Sequence, residues 1–195
     1  MQYLLWRSAW EKGYCSVDPP EVDRSWELSY GISRAKDFPK GLEIHMPPRR
    51  PKDIKFKDNL YGGVNKHPVV SGKLKEILQK EIRQNKVEYI PAKIINQKKR
   101  TVSKDYFLIN PLDIVDCIDI TKPGIEWNTI KKDLIDYCEH GLMLKPEAIP
   151  KGFNFFRPRY WEYNILVSEE LAEKLKATGL TGLVFRSCQE YKGLG

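Results

Sequence analysis

Val87-Glu88-Tyr89-Ile90-Pro91-Ala92-Lys93-Ile94-Ile95 and, after a basic turn, Tyr106-Phe107-Leu108-Ile109-Asn110-Pro111 decide the fold. Both runs are rich in β-branched and aromatic residues and are bounded by polar or helix-breaking residues, which is the pattern of strands. The intervening Gln97-Lys98-Lys99-Arg100-Thr101-Val102-Ser103-Lys104 reads as a solvated hairpin loop. Pro111 has no N–H to donate and pushes Asn110 out of the helical region, so the second strand should stop there. Val115-Asp116-Cys117-Ile118-Asp119-Ile120 then resumes it, giving a three-stranded antiparallel meander closed by Lys122-Pro123-Gly124.

Two helices flank this core. Ser71 precedes Leu74, Ile77, Leu78 and Ile82, spaced to line one helical face, and its hydroxyl can cap the first turn. Ser168 does the same for Glu169 to Ala177, with acids in the first turn and Gly179 just past the end. Val70-Ser71-Gly72-Lys73-Leu74 and Val167-Ser168-Glu169-Glu170-Leu171 echo one another. That echo is either an internal repeat or the common look of any capped amphipathic helix. Residues 1 to 8 read as an edge strand. Between Val17 and Pro51, Pro19-Pro20, Pro39, Pro47-Pro48 and Pro51 predict an irregular wrap with short strands such as Leu42 to Met46. The expected architecture is α+β: a mixed or antiparallel sheet with two main amphipathic helices and a Pro-rich irregular N-terminal region. Residues 1–55 form the N-terminal strand and wrap, part of the same domain as residues 56–195.

A chain of 195 residues with 41% hydrophobic and 30% charged content should bury roughly 70% of its unfolded surface, which excludes wholesale disorder and collagen. No apolar run reaches the roughly 18 residues a bilayer span needs, and the N-terminus lacks a basic leader, so a cytoplasmic protein with no membrane partner is expected. Cys15, Cys117, Cys138 and Cys188 form no C-x-x-C pair, which fits reduced thiols rather than a zinc or redox site. The formal charge is +7, and its density peaks in residues 67 to 105, with ten basic and four acidic residues.

The search for chemistry finds little. His45, His67 and His140 stand apart, and no nucleophile elbow, P-loop or dinucleotide fingerprint occurs. Asp113, Asp116 and Asp119 would line one face of a helix, but in a strand neighbouring members point to opposite faces, dissolving the cluster. Ile130 to Tyr137 reads as an exposed helix. Phe153, Phe155, Phe156, Tyr160, Trp161 and Tyr163 crowd around Arg157 and Arg159, a composition typical of binding surfaces, with the two arginines the expected exposed members. Neither catalytic nor metal-binding residues, and no cofactor, are expected.

Several of these pieces together resemble a known family: Phe56-Lys57-Asp58-Asn59-Leu60, Val69-Val70-Ser71, Val87 to Ile94, Tyr106 to Leu112 running into Val115 to Asp119, Trp127-Asn128, Phe156-Arg157 and Gly179-Leu180-Thr181-Gly182. The chain is similar to bacterial immunity proteins found beside polymorphic toxins, typified by a Myxococcus immunity protein. The resemblance implies a non-enzymatic antitoxin that binds a cognate toxin or effector domain encoded nearby and blocks its active site or substrate path. Candidate toxin-binding residues are Lys98, Lys99, Arg100, Asp113, Asp116, Arg157 and Arg159. A basic nucleic-acid-binding module is the alternative, using the cationic middle segment.

Overall fold

The computed structural model describes residues 2–62, 67–190 and 192–193. Its strands are β1 (Tyr3–Ser8), β2 (Ser16–Val17), β3 (Leu42–His45), β4 (Asn59–Gly62), β5 (Val69–Ser71), β6 (Val87–Ile95), β7 (Thr101–Pro111), β8 (Ile114–Val115), β9 (Ile125–Trp127), β10 (Ile135–Cys138), β11 (Phe155–Pro158), β12 (Leu166–Ser168) and β13 (Leu183–Ser187). Two α-helices, α1 (Gly72–Glu81) and α2 (Glu169–Ala177), follow β5 and β12 without a loop. The strands form a six-stranded sheet in the order β2-β4-β5-β7-β6-β3, a five-stranded sheet β13-β1-β12-β11-β8, and the small β9–β10 ladder. The expected α+β class with mixed sheets agrees with this arrangement.

The β6–β7 hairpin forms, antiparallel from Val87↔Pro111 to Ile95↔Thr101, but its turn is shorter than expected, since Thr101 to Lys104, read as loop, begin β7. The expected third strand does not join it. Past Pro111 the chain leaves the six-stranded sheet, and β8 pairs in parallel with β11 of the other sheet. Nor is the N-terminal strand an edge: β1 lies between β12 and β13, its partners more than 150 residues away in sequence. Ile130 to Tyr137 is not helical. Asn128 Oδ1 accepts from the backbone N–H groups of Ile130 (2.9 Å) and Lys131 (2.6 Å), and the segment then enters β10. An Asn side chain that captures local N–H groups offers the backbone an alternative to a helix.

The two large sheets repeat one wiring. β4-β5-α1-β6-β7 and β11-β12-α2-β13-β1 have the same strand order, with β1 taking the place in the second unit that β7 takes in the first. Their registers match residue for residue: Ser71 faces Tyr106 and Ser168 faces Tyr3, while Val17 pairs with Gly62 and Val115 with Pro158. The Tyr106 hydroxyl donates to Lys57 O (2.9 Å) just before β4, and the Tyr3 hydroxyl to Phe153 O (3.0 Å) just before β11. Each serine caps its helix by accepting from the leucine N–H three residues on, at 3.2 Å in both. The sequence echo is therefore the visible part of a structural repeat.

The two units clasp each other reciprocally. The turn after α2 reaches the start of β4, where Thr181 Oγ1 accepts from Asp58 N (3.1 Å). The turn after α1 reaches the start of β11, where Asn85 Oδ1 accepts from Asn154 N (3.0 Å) and Phe155 N (3.1 Å). Between the units lies a shared core of Trp6, Val70, Leu74, Leu78, Ile109, Phe155, Val167, Leu171 and Leu175. Alternation along each strand sends the intervening residues to two outer cores. Tyr106 and Leu108 enter one, under residues 18–58, and Tyr3 and Leu5 enter the other, under residues 116–154. These two segments are the insertions of the repeat, each placed between a short strand and its parallel partner, β2 and β4 in one unit and β8 and β11 in the other.

Candidate interaction surface

The insertions meet at one seam, and apolar rings come to the surface there. From the first, a 3-10 turn spans Ser25–Tyr30, with Trp26 half exposed and its ring 5.9 Å from that of Tyr30. From the second, the Asn128 turn presents Lys131, whose Nζ donates to the Tyr30 hydroxyl (2.9 Å) and lies 4.2 and 5.2 Å from the Tyr30 and Trp26 ring centroids. Beside it Ile130 is 90% exposed, the most exposed of the large hydrophobic residues described. Trp127 stands edge-on to Tyr160 at 5.6 Å, and Arg159 lies over Tyr160 at 5.3 Å. Exposed Ile114, on β8, continues the patch toward the 3-10 turn.

Arg157 holds the seam from beneath. It is 1% exposed, contrary to the expectation that it lies at the surface with Arg159. Its position in β11 points it under the 3-10 turn. There Nε donates to Pro111 O (3.0 Å) and Nη1 to Glu162 O (2.6 Å), while Nη2 is buried without a hydrogen-bond partner. Gly31 ends the turn with φ +65 and passes so close that a Cβ there would sit 3.2 Å from Pro111 O and 3.4 Å from Arg157 Cδ. Burial pushes the guanidinium down to about 9, with Glu162 acting in the other direction, so it stays charged at neutral pH.

His67 is buried beside this cation, its Nε2 3.4 Å from Ser29 Oγ and its Nδ1 unpartnered. Burial first, and then the charge of Arg157, press it down to about 3, against a hydrogen bond with the Ser25 backbone. A general base works best with a pKa near the operating pH, so this neutral imidazole is a poor one. Cys15, Cys117 and Cys188 are pushed up to about 12, chiefly by burial, which keeps them as inert thiols.

The remaining candidates scatter. Asp113 is half-buried and accepts from Lys86 N (2.7 Å) and Asn85 Nδ2 (3.2 Å), fastening the turn after α1. Asp116 is exposed next to β8, near the seam. Asp119 takes the Thr121 hydroxyl and N–H and does not converge with the other two. Among the described residues no group of three His, Cys, Asp or Glu side chains could hold a metal ion. Lys98, Lys99 and Arg100 are exposed in the β6–β7 turn, where Lys99 has positive φ and Asn96 Oδ1 accepts from Lys98 N and Arg100 N. Trp26, Tyr30, Trp127 and Ile130 were not legible as a site. They are separated by about a hundred positions, and only the meeting of the insertions joins them.

The profile of the Imm11 immunity protein family matches residues 10–190. The chain belongs to that family. The match spans the first repeat unit, both insertions and the second unit except β1, and the Imm11 assignment makes a toxin the general class of partner. No curated protein matches the chain. Among the described residues no helix is long and apolar enough to cross a membrane.

Proposed function

We propose that the chain is an antitoxin that acts in the cytoplasm without catalysis, seating a cognate toxin or effector domain on the seam and covering that domain's active site or substrate path. The observation that carries this reading is the seam itself, in an immunity family: Trp26, Trp127 and Ile130 exposed, with half-buried Tyr30 and Tyr160, beside Arg159 and Lys131. Trp, Tyr and Arg are the residues that most often dominate binding energy, and they do so when a partner dries them. Asp116 and Arg159 stand at the rim, where charge selects the partner more than it adds affinity. Arg157 contributes from below, by tying Pro111 to Glu162 under Gly31, the residue that ends the 3-10 turn.

Co-expression with the toxin domain encoded beside the gene tests the reading. Trp26→Ala and Ile130→Asp should each weaken the complex by about 30-fold or more, the effect of a hot-spot loss. Cells should lose protection while the variant stays folded. Full protection by a folded double variant would remove the seam from the mechanism, and death of cells carrying soluble wild-type protein would remove the antitoxin reading.

A further inference from the structure

A second surface is as distinctive as the seam, and it is cationic. Residues 10–14, 49–57 and 96–100 carry nine basic and two acidic groups, a surplus equal to the +7 of the entire chain, so the rest of the molecule is neutral on balance. The structure gathers these three segments. Tyr14 bridges Lys55, Gly13 O accepts from Lys55 N, and Gln97 Nε2 donates to Arg50 O (3.0 Å), tying the β6–β7 turn to the second segment. The two acids are already engaged: Asp53 is buried and accepts from Gly13 N (2.8 Å), and Glu11 pairs with Lys57 (2.6 Å). Arg49, Lys52, Lys55, Lys98, Lys99 and Arg100 are exposed, and no carboxylate among the described residues lies within 4.0 Å of their charged groups.

Concentrated like charge destabilises a folded protein by self-repulsion, and it pulls in a partner of opposite sign. The rings on this face decide which kind of partner. Single-stranded nucleic acid binds basic grooves by stacking bases on free aromatic faces. Here the rings already carry cations: Arg50 lies 4.8 Å over Trp10, and Lys57 and Lys55 lie 4.4 and 5.7 Å over Tyr14. A cation thus occupies a face of each ring, and around them Arg49, Lys52, Lys55 and Lys98 to Arg100 stand exposed, which suits carboxylates. We infer that this face, formed by the segments around Trp10, Arg50 and Lys98 to Arg100, docks a carboxylate-rich protein surface of the toxin domain.

The inference rests on the antitoxin reading for its partner, and it divides the labour: the cationic face speeds and orients encounter, and the seam holds the complex. Its test uses the whole chain and two defined probes, a fluorescent poly-L-glutamate of about 20 residues and a (dT)20 oligonucleotide. Anisotropy is read from 20 to 200 mM NaCl. Poly-L-glutamate should bind the wild type more tightly than (dT)20 at every salt concentration. Replacing Arg49, Lys52, Lys55 and Lys98 by Glu should weaken its binding by about tenfold or more, the size of an electrostatic steering effect. A control variant with Lys80, Arg83, Lys151 and Arg186 changed to Glu has the same net charge and should bind almost as the wild type does. Replacing the first four by Gln, which removes charge without adding acids, should give an intermediate loss. Equal losses in the two Glu variants, or tighter binding of (dT)20, would overturn the inference. Protection in cells reports on the seam and poly-L-glutamate binding on this face, so either conclusion can fail while the other stands.

Discussion

Acidification should loosen this protein through a single buried imidazole. His67 is enclosed against Arg157 and held at about 3, whereas in the unfolded chain it titrates near 6.5. Between those values the unfolded state binds the extra proton and the folded state does not, so stability rises with pH across the window and falls as pH drops below about 6.5. At pH 5 the difference is about 1.5 pH units below the unfolded value, which corresponds to ~2 kcal/mol at 1.36 kcal/mol per unit. That is a sizeable part of the ~5–15 kcal/mol that holds a domain together. The carboxyls of Asp58 and Glu88 are held low by hydrogen bonds that outweigh their burial, so their contribution is lost only at more acidic pH. Glu162 is raised by burial and works the other way, gaining its proton first in the folded state. Urea unfolding at pH 7.5 and pH 5.0, wild type beside His67→Gln, isolates the effect: the wild type should lose ~2 kcal/mol more than the variant over this interval. Equal losses would refute the assignment of a buried, neutral His67.

Other expectations concern the repeat and the thiols. Asn85→Ala leaves the N–H groups of Asn154 and Phe155 without their acceptor and should cost about 1–3 kcal/mol in chemical denaturation. Tyr3→Phe and Tyr106→Phe remove equivalent hydroxyl anchors, so their losses should agree within about 1 kcal/mol, each near the worth of one hydrogen bond. A circular permutant opened at Lys98-Lys99, with the two chain ends joined by a flexible linker, should fold, because it only exchanges which of β1 and β7 is covalently attached to its unit; an unfolded product would contradict the equivalence. Iodoacetamide at pH 8 should leave Cys15, Cys117 and Cys188 unmodified in the native protein and label them once it is denatured, since burial holds all three near 12.

Local signals in the sequence gave way to long-range ones at definite places. The β6–β7 hairpin and both serine caps were legible because each is written in contiguous residues. Val115 to Ile120 misled because a parallel partner, β11, lies about 40 positions downstream, and strand propensity names no partner. β1 misled for the same reason, with both neighbours at the far end of the chain. Arg157 was read as exposed from its aromatic company, yet only the position of Gly31 and Pro111 encloses it. Tyr3 and Tyr106 share a role but sit in strands with few identities, so the repeat surfaced in sequence only where the helices begin. The cationic turn was correctly placed at the surface, while its union with Arg50 and Trp10 needed the fold.

The placement of the insertions has a consequence for how such proteins diversify. The shared core and the Asn85 and Thr181 contacts that join the halves lie outside the Ser25–Tyr30 turn and the Trp127–Lys131 turn that supply most of the seam, and the turns themselves add the Lys131–Tyr30 hydrogen bond. With the seam as the proposed binding surface, recognition can drift while the chassis stays put. A graft of those two turns onto a sibling with the same chassis would be the shortest route to exchanging one antagonist for another.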